Sequence, residues 1–475
     1  MLCAGAGFRG GSKITTLSMT EETLKALIHQ GENQALEFKL RPSEDIGRTI
    51  CAFANTGDGT ILVGISDSRM LVGTSPKMES QIASIAHSCR PSVFAKIEAV
   101  EIEGKDILVV RIKRTGSIHS YKNIAYKRVG SHDQPLSPQE VIELARETGR
   151  IRFEDQICER ASLEDIDEEK LQWYLTKRRT SRRKPPSEEL DSAALLISLG
   201  AVRRYGHKLI PTNAGILFFG RNPQSFIPQS RLLAVRFEGR KLSRTTIDDL
   251  DCQGTIWEIV EQTEEFIRRN IRLFGFRTRF AFRRIDKMEY PVDALREAII
   301  NALIHRDYFE TPDTKVFIFD DRIEILNPGS FPEGVSPERP IHKPRNPLLC
   351  QFMRDIGLIE KYGSGIYFMK DMCKDWGISE PEFILSQGQT KVVFKSAGKG
   401  ILIQELRRLG IEFNQRQIKG LEYLLLYGKL STKIYCQLNQ VVPDTANRDL
   451  NDLLEKGIIK RLGKGRTAHY VPNIG

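Results

Sequence analysis

The stretch EAIINALIHRDY, Glu297 to Tyr308, places three polar side chains at even spacing within an apolar helical pattern. Glu297, Asn301 and His305 follow one another at intervals of four residues. Residues four apart stack on one face of an α-helix, so these side chains are predicted to form one row. The opposite face is predicted to be buried through Leu295, Ile299, Ala302 and Leu303. The sequence therefore predicts a largely buried helix that carries a carboxylate, an amide and an imidazole in a line.

The composition around this helix is that of a folded, multidomain protein. A chain of 475 residues is too long for a single core, so about two to four domains are expected. The hydrophobic fraction of 40% and the charged fraction of 28% are ordinary for globular proteins. We find no apolar run long enough to span a bilayer, so a membrane protein is not expected. Residues 1–19 are rich in Gly and Ser, lack an apolar segment of the signal-peptide kind, and are predicted to form either a disordered tail or an upstream extension of a start nearer Met19.

Cysteine use and net charge indicate a compartment and a class of partner. The eight cysteines are scattered singly without a CxxC pair, which predicts reduced thiols in a cytoplasmic protein and argues against a cysteine-based zinc site. The net charge of +10 suits a polyanionic partner such as nucleic acid. A basic surface without such a partner is the alternative interpretation.

Residues 20–145 have the pattern of a mixed α/β domain. ALEFKL is predicted to be a strand, and DIGRTICAFANTGDGTILVGISDS a helix, a Gly-rich turn and an apolar strand. Glu32, Glu37 and Asp67 fall near strand ends, where three carboxylates could bind one or two divalent metal ions, as nucleases do. A carboxylate next to Lys39 on a solvated strand is the alternative, because charged residues usually face water.

A basic linker is predicted over residues 146–189. Six Lys or Arg side chains lie between Lys177 and Lys184, and two prolines follow. The segment is predicted to be either a solvated connector or a phosphate-contacting segment.

Residues 190–398 alternate helices and strands around the opening stretch. Asn301 is a candidate Mg²⁺ ligand through its amide oxygen, since Mg²⁺ takes a few protein oxygens together with phosphates and water. Glu297 would then orient or deprotonate the attacking water. The Gly-containing turns NPGSFPEG and YGSGI would supply backbone N–H groups to phosphates. A core helix with satisfied polar residues is the alternative, and His305 is expected to support the site without touching the substrate.

Residues 411–475 have the order of a winged helix-turn-helix. QRQIKGLEYLLLYG, STKIYCQLNQV and PDTANRDLNDLLEKG are predicted to be three helices, followed by two strands around a Gly463–Gly465 turn. Thr445, Asn447 and Arg448 lie near the start of the third helix, where base contacts usually arise. The wing cations, which could meet phosphates, are Lys460, Arg461, Lys464 and Arg466. A protein-docking module is the alternative.

The second block also resembles a known family. EAIINALIHRDY, DDRIEILNPG, RNPLL and EKYGSGI look like the divergent ATP-binding domain of the GHKL superfamily, which includes the gyrase and histidine kinase ATPase domains. The resemblance implies that Glu297 is the general base and Asn301 the Mg²⁺ ligand. The residues it places around the nucleotide are Asn327, Pro328 and Gly329 at the adenine-contacting box, Gly363 and Gly365 in the ATP lid, and the late Thr390. Asn327 stands in place of the usual Asp, and an amide both accepts and donates hydrogen bonds.

The first block resembles the Schlafen-type AlbA-related domain through ALEFK and AFANTGDGTILVGISDS. Residues 20–475 as a whole resemble bacterial and archaeal proteins, described as transcriptional regulators, that join this domain to the divergent ATPase and a helix-turn-helix. In animal Schlafens the domain can be an RNA endonuclease with three carboxylates, which Glu32, Glu37 and Asp67 match. The cations expected to hold a nucleic-acid strand beside them are Lys39, Arg41, Lys127 and Arg128.

These observations predict an α/β multidomain protein: a Schlafen AlbA-like α/β domain, a GHKL (Bergerat-type) α/β sandwich and a winged helix-turn-helix. The function predicted is that of a regulator in which ATP, with Mg²⁺ or Mn²⁺, controls two flanking domains that bind DNA, RNA or both. The alternative is a metal-dependent ribonuclease acting on tRNA or other RNA, used in defence against phage. ATPase activity, RNA cleavage and a homo-oligomeric state stay open.

Overall fold

The computed structural model describes residues 20–181, 192–278, 281–332, 334–359, 365–386, 388–408, 410–463 and 468–473. The chain forms two compact units, Met1–Ile151 and Arg152–Gly475. The mixed α/β architecture predicted from the sequence is confirmed. The predicted tail, residues 1–19, lies outside the described residues. In the part of the chain that the structure describes, no helix is both long enough and apolar enough to cross a membrane.

The first unit is built on a four-stranded sheet. Its elements, in chain order, are α1 (Glu21–Gln30), β1 (Leu36–Lys39), α2 (Glu44–Thr56), β2 (Gly59–Val63), α3 (Pro76–Ser88), β3 (Ala95–Ile102), β4 (Lys105–Ile112), β5 (Tyr126–Val129), β6 (His132–Pro135) and α4 (Pro138–Glu147). The sheet order is β1-β2-β4-β3, with β1 parallel to β2 and the other neighbours antiparallel. A separate hairpin pairs β5 with β6.

Helices cover both faces of this sheet. Leu24 of α1 packs with Phe38 on one face, and Ile50 and Phe53 of α2 pack with Ile61 on the other. A strand that is buried on both faces needs a continuous apolar sequence, such as TILV in β2. β1 and β2 are parallel neighbours, and such a pair needs a crossover connection between its strands. Helix α2 forms this connection.

The second unit begins inside the segment predicted to be a basic linker, residues 146–189. A helix, α5 (Glu168–Ser181), occupies much of it, and its Leu171 and Tyr174 are 0% exposed in the core. The structure therefore differs from the linker prediction over residues 152–181, because apolar side chains alternate there with the charges and are buried. Residues 182–189 lie outside the described residues. The next elements are α6 (Ser192–Ser198), β7 (Val202–Tyr205), β8 (Lys208–Pro211), α7 (Asn213–Phe219) and α8 (Pro223–Phe226).

A six-stranded sheet forms the centre of the second unit. The elements here are β9 (Leu232–Phe237), β10 (Thr246–Cys252), α9 (Ile256–Asn270), β11 (Leu273–Thr278), β12 (Ala281–Met288), α10 (Val292–His305), β13 (Thr314–Ile318), β14 (Arg322–Pro328), α11 (Pro347–Asp355), α12 (Gly365–Trp376), β15 (Glu382–Ser386) and β16 (Gln389–Lys395). The sheet order is β10-β9-β13-β14-β16-β15, and the β9–β13 pair is parallel. β11 and β12 form a separate hairpin.

Helix α10, the helix predicted from the opening stretch, lies among α9, α12 and β14. Its predicted buried face is confirmed: Leu295 and Ile299 are 0% exposed, and Ala302 and Leu303 are also buried. The row predicted on the other face, formed by Glu297, Asn301 and His305, is only partly buried and is called the α10 row below.

Two of the three tryptophans form a contact between α5 and α9. Trp173 of α5 stacks on Trp257 of α9, with ring centroids 4.0 Å apart and planes inclined by 17°. The third, Trp376, ends α12, and its indole N–H donates to the carbonyl of Met288 at 2.9 Å.

The C-terminal part has the predicted winged-helix order. After α13 (Ile401–Arg408) come α14 (Gln415–Tyr427), α15 (Thr432–Asn439), α16 (Pro443–Glu455), β17 (Ile459–Leu462) and β18 (His469–Pro472), and the two strands pair antiparallel. Asp449 of α16 ties the three helices together, because it accepts from Arg416 of α14 at 2.7 Å and from the Tyr435 hydroxyl of α15 at 3.0 Å.

Candidate functional site

A cavity of about 420 Å³ lies in the second unit between α10, α12 and the six-stranded sheet. Its lining includes six residues predicted to bind nucleotide, namely Glu297, Asn301, Asn327, Gly329, Gly365 and Thr390. Gly363, predicted for the same site, lies outside the described residues. Side chains separated by almost a hundred positions in sequence thus meet around one space.

The α10 row forms one wall of this cavity. The Asn301 amide N–H donates to Oε1 of Glu297 at 2.9 Å, so the two side chains hold each other in place. His305 continues the row, and burial lowers the pKa of its imidazole to about 4. His305 is therefore neutral at pH 7 and adds no charge to the wall.

Gly365, the first residue of α12, packs directly against this pair. A Cβ at Gly365 would lie 2.1 Å from Oε1 of Glu297 and 3.1 Å from Nδ2 of Asn301, so only glycine permits the observed approach. A helix N-terminus carries a partial positive charge and free N–H groups, which favours an anion at this end of the cavity.

The donor set at this wall suits Mg²⁺ bound together with a phosphate. With its N–H given to Glu297, Asn301 keeps its amide oxygen as an acceptor. Among the described residues, no three His, Cys, Asp or Glu side chains form a group that could hold a metal ion by themselves. A metal at Asn301 would therefore draw its remaining ligands from phosphates and water, as Mg²⁺ usually does.

The sheet supplies the floor of the cavity. Ile325 and Asn327 of β14 lie beside Val392 and Thr390 of β16, and these four side chains are called the sheet floor below. The floor ends at Gly329, whose φ of +116° favours glycine. The Thr390 hydroxyl donates to the carbonyl of Gly329 at 2.8 Å, which fixes the turn that follows β14.

Two buried residues that were not among the predicted site residues support the cavity. Asn346 donates to the carbonyls of Ile304 and Arg306 at 3.0 and 2.9 Å and so satisfies the C-terminal end of α10. Glu154 caps the next helix, α11, and burial raises the pKa of its carboxyl to about 7. Its partners lie almost two hundred positions away, and no local sequence signal marks the residue.

In the first unit, Glu37 is a buried member of an ion-pair network. Its carboxylate binds Lys39 and the guanidinium of Arg128. Arg128, whose side chain is 1% exposed, also donates to Asp133 at 2.9 Å. This network joins β1 to the β5–β6 hairpin. Arg128 therefore differs from its predicted role, because a buried and paired guanidinium is not open to a nucleic-acid phosphate.

The other two predicted carboxylates are placed differently. Glu32 is exposed and accepts from the backbone N–H of Phe38 at 2.9 Å, while Asp67 is exposed in the turn after β2. Glu32, Glu37 and Asp67, all three described, do not form a metal-holding group. Of the predicted nucleic-acid contacts, Arg41 is exposed, and Lys127 is paired with Glu140.

The winged helix presents part of its predicted DNA-contacting surface. Asn447 and Arg448 of α16 are exposed and Thr445 is partly exposed, whereas Leu450 and Leu453 are 0% exposed on the core side. The predicted wing cations Lys464 and Arg466 lie outside the described residues.

Four family models match separate segments of the chain. Residues 32–137 match "Schlafen, AlbA_2", and residues 143–232 match "Domain of unknown function (DUF8451)". Residues 313–394 match HATPase_c_4, "Putative ATP-dependent DNA helicase recG C-terminal". Residues 416–468 match "DeoR-like helix-turn-helix domain". The domain order predicted from the sequence is thereby confirmed.

No curated protein matches the sequence. Among solved structures, the crystal structure of the DIP2311 protein from Corynebacterium diphtheriae is 15% identical, with a TM-score of 0.40, and the match covers 94% of this chain and 98% of that one. The solution structure of the N-terminal domain of a "Putative ATP-dependent DNA Helicase RecG-related Protein" from Nitrosomonas europaea is 23% identical, with a TM-score of 0.20, and that match covers 25% of this chain and 95% of the other. From its N-terminal to its C-terminal part, the chain thus carries a Schlafen AlbA_2 segment, a HATPase_c_4 segment and a DeoR-like helix-turn-helix segment.

Proposed function

We propose that the protein is a nucleic-acid-binding regulator whose second unit binds a nucleoside triphosphate with Mg²⁺ and transmits the bound state to its winged helix. The observation that carries the proposal is the cavity of about 420 Å³ lined by the α10 row, the sheet floor and Gly365. The AlbA_2 and helix-turn-helix segments support nucleic acid as the partner. ATP is the nucleotide that the sequence resemblance implies.

Within this proposal each polar group of the wall has a task. Asn301 would offer its amide oxygen to Mg²⁺, and the N-terminus of α12 would direct N–H groups at the phosphates. Glu297, which accepts from Asn301, would orient the attacking water in any hydrolysis. Removing Asn301 should therefore weaken Mg²⁺-dependent binding, whereas Glu297→Gln, which keeps an acceptor oxygen for Asn301, should affect only the chemical step.

Helix α12 offers a physical route from the cavity to the winged helix. Its first residue touches the Glu297–Asn301 pair, and its twelve residues span roughly 18 Å at 1.5 Å per residue. At its other end the ammonium group of Lys287 lies 4.5 Å from the Trp376 ring and pairs with Glu405 of α13. α13 and the winged helix share one hydrophobic core with α12. A shift of α12 would therefore also move α13, the helix that precedes α14.

The binding half of the proposal is tested by calorimetry of the full chain with ATP and with GTP, each with and without Mg²⁺. We expect Mg²⁺-dependent binding that Asn301→Ala weakens and that Glu297→Gln, which keeps the acceptor for Asn301, leaves intact. Failure of the wild-type protein to bind either nucleotide would overturn the proposal.

The coupling half is tested by measuring the affinity for duplex DNA with and without nucleotide. Gly365→Ala introduces a methyl group that must push aside the Glu297 carboxylate or shift α12, so we expect it to reduce the nucleotide effect on DNA affinity when nucleotide is saturating. Gly400→Ala is the matched control, because a Cβ there meets no atom within 4 Å. DNA affinity that is identical with and without bound nucleotide in the wild-type protein would contradict the coupling.

A further inference from the structure

We propose that the cavity selects a purine nucleotide with a carbonyl group at ring position 6, such as GTP, over ATP. This inference rests on the proposed function, since it concerns the base of the nucleotide whose phosphates the α10 row would hold. It follows from the hydrogen-bond direction at Asn327 on the sheet floor.

The sheet floor is the part of the cavity suited to a base. Ile325 and Val392 lie side by side across β14 and β16, and Asn327 and Thr390 lie side by side next to them. The floor thus combines apolar surface with two uncharged polar groups. The charged or charge-binding groups of the lining, among them Arg296, Lys343 and the start of α12, belong to other elements. A flat ring with a polar edge fits the floor, and a triphosphate fits the wall.

The amide of Asn327 has a fixed orientation because of the side chains behind it. The buried guanidinium of Arg306 donates to the Thr314 hydroxyl oxygen at 3.1 Å. The Thr314 hydroxyl in turn donates a hydrogen bond to Oδ1 of Asn327 at 3.4 Å. Arg306 and Thr314 are both 0% exposed. Because Arg306 is cationic, the end of the Asn327 amide that faces it is the oxygen and not the NH₂ group. The carbonyl of Asn327 therefore points to Thr314, and its NH₂ group is left for the cavity.

An NH₂ group at this position recognises an acceptor. The 6-carbonyl of guanine or hypoxanthine accepts a hydrogen bond, whereas the 6-amino group of adenine would set two donors against each other. A buried donor without an acceptor loses the hydrogen bond that it made to water, so discrimination of about tenfold or more is expected. An aspartate here would have the opposite preference, because a carboxylate only accepts.

The test is calorimetry of the full chain with GTP, ITP and ATP in the presence of Mg²⁺. ITP differs from GTP by lacking the 2-amino group, so it isolates the effect of the 6-carbonyl. We expect GTP and ITP to bind about tenfold or more tightly than ATP. Asn327→Asp should reverse this order. Thr314→Val removes the hydroxyl that holds the amide, so the ratio should fall toward one.

Asn301→Ala serves as the control, since it weakens all three nucleotides alike and leaves the ratio unchanged. ATP binding as tight as or tighter than GTP and ITP would overturn the base preference while leaving the proposed function standing. Binding of none of the three nucleotides would overturn the proposed function and, with it, this inference. Circular dichroism of each variant separates a changed preference from a loss of folding.

Discussion

Glu154 is a buried carboxylate whose two oxygens accept from the backbone N–H groups of Leu348 and Leu349 at 2.9 and 3.0 Å. It caps α11, whose Cys350 lines the cavity. Burial raises the pKa of Glu154 to about 7 from an ordinary value of 4.5, although the two hydrogen bonds oppose the rise. The folded chain therefore holds this proton over a pH range in which the unfolded chain has already released it.

This difference makes the stability depend on pH in a defined direction. Between about pH 4.5 and pH 7 the unfolded state binds fewer protons, so the free energy of unfolding falls as the pH rises. Glu154→Gln removes the titrating group, but it keeps only one acceptor oxygen and sets its NH₂ against the second N–H. We expect the variant to be less stable than the wild type at about pH 5 and to lose less stability than the wild type between about pH 5 and pH 7, because the titrating carboxyl is gone. Thermal unfolding at several pH values measures this, and the exposed Glu159→Gln is the control. Parallel pH profiles for Glu154→Gln and wild type would contradict the prediction.

Arg128 is a buried charged residue of the first unit whose ion pairs affect stability. The Arg128 guanidinium forms salt bridges with Glu37 and Asp133 and lies over the ring of Phe53, with its central carbon 5.1 Å from the ring centroid. We expect Arg128→Ala to lower the free energy of unfolding by about 3 kcal/mol, because it breaks the salt bridge to Asp133 and leaves the buried Glu37 with Lys39 as its remaining cation. Urea unfolding measures the loss. Arg41→Ala, on an exposed side chain, should change stability by roughly 0.5 kcal/mol or less. Equal stabilities of the two variants would show that the network is not structural.

At the scale of elements, α16 has an exposed side and a side that faces the core. Leu450 and Leu453 face the core, Asp449 is held by α14 and α15, and Arg448 is exposed near the start of the helix. The helix is thus fixed by its buried side, which leaves the exposed side free to contact bases.

We expect Arg448→Ala to reduce the preference for the best DNA sequence by roughly 1–3 kcal/mol if its guanidinium contacts a guanine. Arg461→Ala, on the exposed β17 strand of the wing, should weaken all sequences alike and lower the slope of affinity against salt by about one. Binding curves for several duplexes at several salt concentrations distinguish the two effects. If neither variant altered DNA binding, the winged helix would be a protein-docking module.

Local patterns predicted the elements better than they predicted the contacts between them. The spacing of apolar residues in α10 and the helix-strand order of the winged helix depend on residues close together in the sequence, and the structure confirms both predictions. The pairing of Arg128 with Glu37 is not visible in the sequence because the two residues lie 91 positions apart, so the prediction that Arg128 holds nucleic acid differs from its place in the structure. The burial of Leu171 and Tyr174 was missed because charged neighbours dominate the segment. In each case a long-range contact decides the role of the residue.

At the scale of the whole molecule, the matched segments and the folded units do not share boundaries. The segment that matches HATPase_c_4 begins at residue 313, yet the α10 row lies before it, and β13 pairs with β9 from a still earlier part of the chain. The cavity therefore needs residues from both sides of that boundary. The cavity thus belongs to the second unit as a whole.

The whole-molecule alternative of a metal-dependent ribonuclease makes a separate prediction. Glu37 is occupied by Lys39 and Arg128, and Glu32, Glu37 and Asp67 do not gather into a metal group. We therefore expect tRNA and single-stranded RNA to stay intact when incubated with the protein and Mn²⁺ or Mg²⁺. Gel analysis decides the matter. Metal-dependent product that disappears in Glu37→Gln would overturn this expectation and restore the nuclease hypothesis.

The arrangement of the three tryptophans gives the protein an optical property. Trp173 and Trp257 are stacked closely enough for their electronic transitions to couple, whereas Trp376 stands at the end of α12 beside the ammonium group of Lys287. A nearby cation shifts the emission of an indole, so the fluorescence of Trp376 depends on its distance from Lys287. Replacing Trp173 and Trp257 with phenylalanine would leave Trp376 as the single fluorophore. Its emission colour would then report in real time whether α12 moves when nucleotide is added, without an attached dye.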